Sequence, residues 1–280
     1  MPLIVLVSVK GSPGVTTAAL ALAAAWPAPR RLLAELDPAG GDLGVRLGLP
    51  AGQGLAGLAA AARRPQGRHS LWAYACELPG GLHVVPGPAG AEQAAACLQT
   101  LTAAGVAQQL AREAAAGEAI VIADCGRLDP GSPAAQVTGL ASVLLVVTRP
   151  QLSDLTHLAG RLETITRAGA GVTGLVLVTG ATAPRTDPGY PAQEIAQALG
   201  ARVLGSVPAD PRSAAALSAG ASTPGRKARR LPLVQAARTL AGALAAALPA
   251  PGPAAGPPAA AEQGLPAAVP PLTGADRSRR

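Results

Sequence analysis

A run of small residues near the start of the chain has the residue types that a phosphate-binding loop requires. It follows an apolar run at residues 3–9, precedes an Ala-rich stretch at 17–26, and consists of Lys10, Gly11, Ser12, Pro13, Gly14, Val15, Thr16 and Thr17. Glycines let the backbone approach an anion closely, and the free N–H groups at the start of a helix point toward it. A hydroxyl at Thr16 stands where such loops place a ligand of Mg²⁺. An ordinary glycine-containing turn between a strand and a helix is the alternative interpretation of this segment.

Carboxylates follow two other apolar runs of the chain. Asp37 lies in the segment ELDPAGGD at residues 35–42, and Asp124 directly follows the apolar run at 119–123. A carboxylate at the exit of a central strand can hold Mg²⁺ or a water molecule bound to it. Taken alone, residues 37–42 also fit a Pro-Gly turn, and Asp124 also fits a helix cap.

The alternation of apolar runs with Ala-rich segments predicts the elements that position these residues. We predict strands at 3–9, 32–36, 82–85, 119–123, 143–147, 175–178 and 202–207, with helices at 17–26, 91–116, 152–168 and 191–199. Continuous apolar runs are typical of strands covered on both faces, and strand–helix alternation favours a mostly parallel sheet. The predicted fold class is therefore an α/β sandwich.

The end of the chain has a different character from the rest. Apolar residues at helical spacing predict a last helix over 229–248, whereas residues 249–280 are rich in Pro, Ala and Gly and have no periodicity. We predict a folded domain at 1–248 and a disordered tail at 249–280. No apolar run is long enough to span a bilayer, and no basic segment precedes the first apolar run, so we expect a cytoplasmic protein.

The composition excludes some classes of function and leaves others open. Hydrophobic residues make up 49% of the 280 residues and charged residues 14%, which supports a full-sized core. Aromatic residues make up only 1%, which argues against proteins that stack single-stranded bases on aromatic side chains. The net charge of +7 permits non-specific attraction to DNA or to anionic lipid. We interpret the basic cluster at residues 226–230 as a solvated linker, with a DNA or membrane patch as the alternative.

The segment KGSPGVTT resembles the deviant Walker A loop of the MinD/ParA family of P-loop ATPases, KGGxGKT[ST]. Lys10 stands at the family's first lysine, and the glycines and both hydroxyls of the segment match as well. The resemblance assigns Lys10 the family role of reaching across a nucleotide-sandwich dimer to the phosphates of the partner. The standard loop lysine is replaced here by Val15, and the loss of that charge-assisted contact is expected to weaken ATP binding about 10- to 100-fold.

The resemblance extends to the acidic segments. ELDPAGGD is similar to the family's switch I segment, DxDPxGN, in which the position of Asp37 organises Mg²⁺ and the attacking water. Glu35 and Gly41 replace the first aspartate and the asparagine of that pattern. The run that ends in Asp-Cys-Gly at 124–126 resembles the Walker B segment, which implies that Asp124 acts with Thr16 on the Mg²⁺ side.

Resemblance to the base-binding part of the family is partial. The segment VPADP at 207–211 is similar to the xPxD segment that frames the base, which implicates Pro208 and Asp210. The family's base-contacting asparagine is replaced by Gly180. The segment Thr-Arg-Pro at 148–150 also resembles a strand end of the family, but we assign no chemistry to it.

The resemblance covers the chain to about residue 248 and implies a Rossmann-like P-loop NTPase: a three-layer α/β/α sandwich with a mostly parallel sheet of seven or eight strands. It implies a protein that binds ATP and Mg²⁺, hydrolyses ATP slowly, and acts as a nucleotide-dependent homodimer. Such dimers are positioning switches in chromosome or plasmid partitioning, septum placement, or localisation of secretion or pilus machinery. DNA, a DNA-bound protein and a membrane surface are the partners that this resemblance leaves open, although the C-terminus is unlike a membrane-targeting helix.

Two other functions remain open from the sequence. The departures at Val15, Gly41 and Gly180 favour a non-hydrolysing adaptor that keeps the fold, so whether the chain is an enzyme is not decided by its motifs. The basic charge permits a DNA-binding module, whose affinity would fall steeply with salt and ignore nucleotide.

Overall fold

The computed structural model describes residues 2–11, 13–50, 52–64, 70–116, 119–169, 171–180, 189–219 and 230–248. Ser12, residues 226–229 of the basic cluster and the whole segment 249–280 lie outside these ranges, so the expectations stated for them stay predictions. Within the described ranges, no helix is both long and apolar enough to cross a bilayer.

The strands confirm the predicted fold class. Eight of them in the described residues form one sheet: β1 (Leu3–Ser8), β2 (Arg30–Glu35), β3 (Cys76–Leu78), β4 (Leu82–Val85), β5 (Ala119–Arg127), β6 (Val143–Thr148), β7 (Val172–Thr179) and β8 (Val203–Pro208). Their order is β3-β4-β2-β5-β1-β6-β7-β8, and all neighbours are parallel except β3 and β4. The seven predicted strands are all present. The unpredicted β3 is three residues long, too short for its apolar pattern to stand out.

Helices cover both faces of this sheet, as the sandwich requires. They are α1 (Val15–Ala25), α2 (Leu43–Arg46), α3 (Leu55–Ala62), α4 (Ala91–Ala103), α5 (Val106–Ala116), α6 (Ala135–Thr138), α7 (Leu152–Ala168), α8 (Ala192–Leu199), α9 (Pro211–Ser218) and α10 (Pro232–Ala247). The predicted helix at 91–116 is wrong as a single element, because Gly105 adopts a left-handed φ of 69° and separates α4 from α5. The predicted helix at 152–168 matches α7 at both ends.

The core consists of two apolar layers, one on each face of the sheet. Along β1, Leu3, Val5 and Val7 pack into the layer covered by α3 to α8, whereas Ile4 and Leu6 pack into the layer covered by α1, α9 and α10. Both faces of the strand are therefore buried, which is why its sequence is a continuous apolar run. In α1, small alanine side chains allow close packing against the sheet and α10 in a chain that has no Phe.

The strand order determines where the polar loops meet. β1 lies between β5 and β6, and β5 separates β1 from β2. Because parallel strands present their carboxyl ends at the same edge, the loops after β1, β2 and β5 converge there. The register pairs Glu35 at the end of β2 with Asp124 in β5.

Candidate functional site

The loop after β1 contains two glycines in a left-handed backbone conformation. Gly11 and Gly14 have φ values of 66° and 97°, a left-handed region that favours glycine. Gly14 is the N-cap of α1 and offers no side-chain cap, and no acidic residue lies in the first turn of the helix. The N–H groups at the start of α1 are therefore not neutralised by a side chain of that turn, and their partial positive charge faces the loop.

Val15, the residue at the loop-lysine position, begins α1 and is only 6% exposed. Its side chain belongs to the apolar layer around α1. The loop itself therefore contributes backbone donors and hydroxyl groups to this edge, but no cation at the position of the family lysine.

A cavity of about 350 Å³ lies over this loop and brings together the phosphate loop and the acidic segments. It is lined by Ser8, Gly11, Gly14, Val15, Thr16, Thr17, Asp37, Ala39, Gly40, Asp42, Arg46, Gly126 and Arg127. We refer to it as the loop cavity. Most of the predicted phosphate and metal residues line it, although they come from two separate segments of the chain, the loop after β1 and the segment of Asp37.

Asp124 lies behind Thr16 and Gly126 and is completely buried. Its Oδ1 accepts a hydrogen bond from the Gly126 N–H at 3.0 Å, whereas its Oδ2 has no hydrogen-bond partner among the described residues. The Thr16 hydroxyl is close enough to favour the ionised carboxylate, although its geometry falls short of a hydrogen bond. A buried carboxylate oxygen without a donor beside a hydroxyl is a fitting pair of ligands for Mg²⁺ or its bound water.

Burial dominates the electrostatics of Asp124. It raises the pKa of this carboxyl from 3.8 to about 7, and the nearby Glu35 and Asp37 carboxylates act in the same direction. Among the described residues no cluster of three or more His, Cys, Asp or Glu side chains forms a metal site by itself. Mg²⁺ takes one or two carboxylates and completes its shell with water and substrate phosphates.

Asp37 is held over the backbone of the Walker B-like segment. Its Oδ1 accepts the Ala39 N–H at 2.8 Å, and its carboxyl group packs directly on Gly126, leaving no room for a Cβ there. Burial raises the pKa of Asp37, and the charges of Asp42 and Asp129 add to this, while the Ala39 N–H and Arg127 oppose it.

Glu35 organises the segment that carries Asp37. Its carboxylate accepts backbone N–H groups from Asp42 at 2.8 Å, Leu43 at 3.0 Å and Gly87 at 2.9 Å. A Cβ on Gly41 would collide with Glu35 Oε2 and come within 2.7 Å of the Gly87 carbonyl oxygen. The longer Glu35 side chain therefore occupies the space of the side chain that the family pattern has at position 41.

A second cavity of about 220 Å³ adjoins the first and shares Gly14 and Thr17 with it. It is lined by Pro13, Gly14, Thr17, Ala18, Arg149, Val178, Val207, Pro208, Ala209, Asp210, Pro211, Ala214 and Leu233. We refer to it as the apolar cavity. The predicted base-framing residues Pro208 and Asp210 lie here, whereas Gly180 is not part of the lining.

Asp210, which lines the apolar cavity, also stabilises the start of α9. It is the N-cap of α9, accepting the Arg212 N–H at 3.0 Å and a short hydrogen bond from the Ser213 hydroxyl. The Ser213 bond is the main reason that the pKa of Asp210 is lowered. Its carboxylate oxygens are therefore already engaged with α9.

Lys10 points away from both cavities. Its ammonium group donates to His157 Nε2 of α7 at 2.8 Å, and both side chains are exposed. Lys10 is absent from the lining of either cavity in the described part of the chain. Within one copy of the chain, the structure therefore does not place Lys10 among the described residues that line the two cavities.

Sequence reasoning missed four charged residues of this edge: Glu35 as an organiser of the loop, Arg46 and Arg127 in the loop cavity, and Arg149 in the apolar cavity. One available signal was position, because Glu35, Arg127 and Arg149 lie at or directly after the carboxyl end of a strand. Arg46 had no such signal, since it lies in α2, a four-residue helix that was not predicted.

The raised pKa of Asp124 predicts how stability depends on pH. Because folding favours the protonated carboxyl, this group contributes stability below about pH 4 that is lost as the pH rises through about 7. We expect the free energy of unfolding of the nucleotide-free protein to fall by about 2 kcal/mol between about pH 5.5 and 7.5. Asp124→Asn, which cannot ionise, should lose most of this decline in urea titrations at the two pH values. Equal declines in the two proteins would contradict the assignment.

Comparison with solved structures shows which proteins share this architecture. The cell division ATPase MinD of Pyrococcus furiosus superposes with a TM-score of 0.68 at 19% identity, covering 88% of this chain and 99% of that one. A ParA family ATPase from Chlorobium tepidum gives 0.66 at 20% identity, covering 86% and 98%. The septum site-determining protein MinD of Pyrococcus horikoshii, solved with Mg-ADP, gives 0.66 at 20% identity, covering 87% and 95%.

In sequence, no protein-family model and no curated protein matches the chain. The three structural matches nevertheless cover nearly all of each solved structure. The chain has the fold of the MinD/ParA P-loop ATPases.

Proposed function

We propose that this chain binds ATP with Mg²⁺ and dimerises through the bound nucleotide, acting as a MinD/ParA-like positioning switch. The observation that carries the proposal is the pair of adjoining cavities at the start of α1. One combines the glycine loop with Thr16 and Asp37 in front of the buried Asp124, and the other is apolar and ends at Pro208. This is the arrangement that a polyphosphate attached to an apolar base requires.

The two cavities divide the nucleotide between them. The triphosphate would lie over the start of α1, where the left-handed Gly11 and Gly14 present backbone N–H groups. The base would lie between Pro13 on one side and Val178, Val207 and Pro208 on the other. The shared residues Gly14 and Thr17 mark the junction where the ribose and α-phosphate would pass.

Thr16, Asp37 and Asp124 are the residues that would hold Mg²⁺ and its water molecules, which neutralise charge on the phosphate oxygens when the ion is bound. The Mg-ADP in the Pyrococcus horikoshii MinD structure supports this proposal by likeness of fold. Because Asp124 is protonated in part near neutral pH, binding of the cation would displace a proton from it.

Hydrolysis in this site would depend on positioning rather than on covalent chemistry. Asp37, fixed by the Ala39 N–H and by packing on Gly126, would orient the attacking water. The loop has no lysine at position 15 to stabilise the charge that develops on the phosphates. We therefore propose slow turnover, and a non-hydrolysing adaptor remains the second candidate because of Val15.

The position of Lys10 supports dimerisation. Its exposed ammonium group lies outside the cavities of its own chain and is held only at the surface, by His157. A second copy related by a two-fold axis would bring each Lys10 to the phosphates of its partner, and both sites would be completed at once. In this proposal the ATPase domain is residues 1–248, the segment 249–280 is a tail, and the protein acts in the cytoplasm.

For the cargo of the switch we propose only a class of partner. The net charge of +7 supports a role on DNA or on a DNA-bound protein, as in chromosome or plasmid partitioning. Septum placement and positioning of a secretion or pilus machine are the other roles of proteins with this fold that we propose for it.

Titration with a fluorescent ATP analogue and Mg²⁺ at two protein concentrations tests the dimer. We expect micromolar affinity that strengthens with protein concentration, and we expect Lys10→Ala to lose this concentration dependence while keeping weaker monomer binding. His157→Ala is the matched control, because it removes the same surface hydrogen bond and leaves Lys10 in place. Equal losses in both variants would contradict a role for Lys10 in the partner's site. Absence of binding at millimolar nucleotide would favour the adaptor.

A further inference from the structure

The loop cavity contains the carboxylates of Asp37 and Asp42, with Asp124 directly behind it. A triphosphate brings further negative charge to the same place. Val15 supplies no positive charge, and Lys10 is held at the surface by His157. Mg²⁺ offsets part of this charge, but a site of this composition needs a protein cation to hold the phosphates in one position.

Arg46 lies in the loop cavity at the place where such a cation is needed. Its Nη2 donates to the Thr17 hydroxyl at 3.3 Å, in the first turn of α1, two residues from Val15. Its Nε donates to the Ser218 hydroxyl at the end of α9 at 3.1 Å, which anchors the guanidinium over the loop. The side chain is half-buried, so its position is set by packing as well as by these two bonds.

Among the described residues, Arg46 has no carboxylate within ion-pair distance. The two side chains that accept hydrogen bonds from it, those of Thr17 and Ser218, are uncharged. The two hydrogen bonds use two of the five N–H donors of a guanidinium group. The other donors of Arg46 remain for an anion, in the fork geometry that binds phosphate in a bidentate manner.

The other cations near the site are placed less well for this role. Arg127 also lines the loop cavity, but it forms an ion pair with Asp129 at 2.8 Å and is more than half exposed. Arg149 lines the apolar cavity, on the side of the base. Arg46 is therefore the cation in the described chain that is both uncompensated by a carboxylate and directed at the start of α1.

We propose that Arg46 binds the phosphates of the nucleotide and replaces the loop lysine that Val15 has eliminated. This proposal rests on the proposed function, since it presupposes that the loop cavity receives a polyphosphate. It also changes the consequence of the Val15 departure, because the cation is supplied from α2 instead of being lost. The binding contribution of a charge-assisted contact corresponds to an affinity change of about 10- to 100-fold.

Competition binding with two probes tests the role of Arg46. The probes are ATP and inorganic tripolyphosphate, each with Mg²⁺, competing against the fluorescent ATP analogue on wild type, Arg46→Gln and Arg46→Lys. We expect Arg46→Gln to weaken both probes about 10- to 100-fold and Arg46→Lys to weaken them less. The affinity for adenosine, which has no phosphate, should be the same in all three proteins.

Arg112→Gln is the matched control, because it removes the same charge from an exposed position on α5 that lines neither cavity. Equal weakening by Arg112→Gln and Arg46→Gln would overturn the proposal in favour of a general charge effect. Tripolyphosphate binding that is unchanged in Arg46→Gln would overturn it while the proposed function stands. Absence of ATP binding to the wild type at millimolar concentration would overturn both.

Two further variants keep the test decisive. Val15→Lys in the Arg46→Gln background should restore at least about tenfold of the lost affinity, because it returns the cation to the loop. Should thermal unfolding show that Arg46→Gln does not fold without nucleotide, Arg46→Lys carries the test. If Arg46→Lys then bound tripolyphosphate with unchanged affinity, the proposed bidentate contact between the guanidinium group and the phosphates would be overturned. A loss of affinity for ATP and tripolyphosphate, but not for adenosine, would support it.

Discussion

Gly126→Ala is expected to lower the rate of ATP hydrolysis about 100-fold while the protein remains folded. Asp37 packs against the Cα of Gly126 so closely that an added methyl group would overlap its carboxyl group. Gly126 lies at an irregularity in the pairing of β5 with β1. The backbone on either side of it is nevertheless held, because the Leu36 N–H donates to the Asp124 carbonyl oxygen and the Leu128 N–H donates to the Ser8 carbonyl oxygen. The Asp37 carboxylate must therefore leave the position from which it would orient water and Mg²⁺.

Gly131→Ala separates this collision from backbone strain. Gly126 and Gly131 both have left-handed φ values, 58° and 77°, so an alanine at either position costs about 1 kcal/mol of backbone strain. A Cβ at Gly131 would meet no atom within 4 Å. Single-turnover hydrolysis and urea unfolding of the two variants should show similar stability losses but a rate loss in Gly126→Ala only.

The same pair of variants is informative if turnover proves too slow to measure. The Mg²⁺ dependence of nucleotide affinity should then be weakened in Gly126→Ala and retained in Gly131→Ala. Equal behaviour of the two variants in both measurements would show that Asp37 does not act in this site.

Gly41→Asn, which restores the residue of the family pattern, is expected to destabilise this chain by about 3 kcal/mol. Its side chain would displace the Glu35 carboxylate and press on the Gly87 carbonyl oxygen. Three backbone N–H groups depend on that carboxylate, and they hold together the segment after β2, the start of α2 and the segment after β4. Urea denaturation of the nucleotide-free protein measures the loss.

Combining Gly41→Asn with Glu35→Asp tests whether the residues at positions 35 and 41 compensate for each other. Glu35→Asp alone should cost about 1–2 kcal/mol, because the shorter side chain cannot reach all three N–H groups. Glu35→Asp combined with Gly41→Asn should cost at least about 1 kcal/mol less than the sum of the single variants. The recovery should be partial, since the Gly87 carbonyl oxygen still limits the space.

Gly90→Asn is the matched control for the Gly41 variant. Gly90 has a φ of −82° and no atom within 4 Å of a Cβ, and it is the N-cap of α4, where asparagine is favoured. We expect it to leave stability unchanged or to raise it slightly. Additive losses at Glu35 and Gly41 would show that the two positions are independent.

The coupling between Glu35 and Gly41 bears on the choice between an ATPase and an adaptor. Gly41 is one of the three departures that favour the adaptor from sequence alone. The structure gives it a packing reason, since the Glu35 carboxylate fills the same space. Arg46 likewise offers a cation for the position that Val15 has left without one. The departures at Val15 and Gly41 therefore no longer indicate by themselves that the chain has lost nucleotide binding and hydrolysis.

Much of the fold could be predicted from the sequence because its signals are local. A strand buried on both faces is a continuous apolar run, and all seven predicted strands are present. The 17-residue helix α7 has clear periodicity and was predicted at both ends. The split between α4 and α5 at Gly105 was missed, because glycine within an Ala-rich stretch does not reveal by itself whether it will adopt a left-handed φ.

The candidate site also has features that are local in sequence and features that depend on the whole sheet. The glycine loop before α1 and the acidic residues at strand ends are short motifs, so the sequence alone is enough to predict them as phosphate and Mg²⁺ ligands. That Asp37 and Asp124 meet at one edge follows from the pairing of β2 with β5, which is a property of the whole sheet.

The partners of the long charged side chains depend on the tertiary structure. Lys10 meets His157, and Arg46 meets Ser218, across sequence separations of 147 and 172 residues. Glu35 closes its loop by accepting an N–H from Gly87, 52 residues away. A local pattern sets the backbone conformation of a segment, but a flexible side chain takes its partner from whichever elements the packing of the core brings beside it.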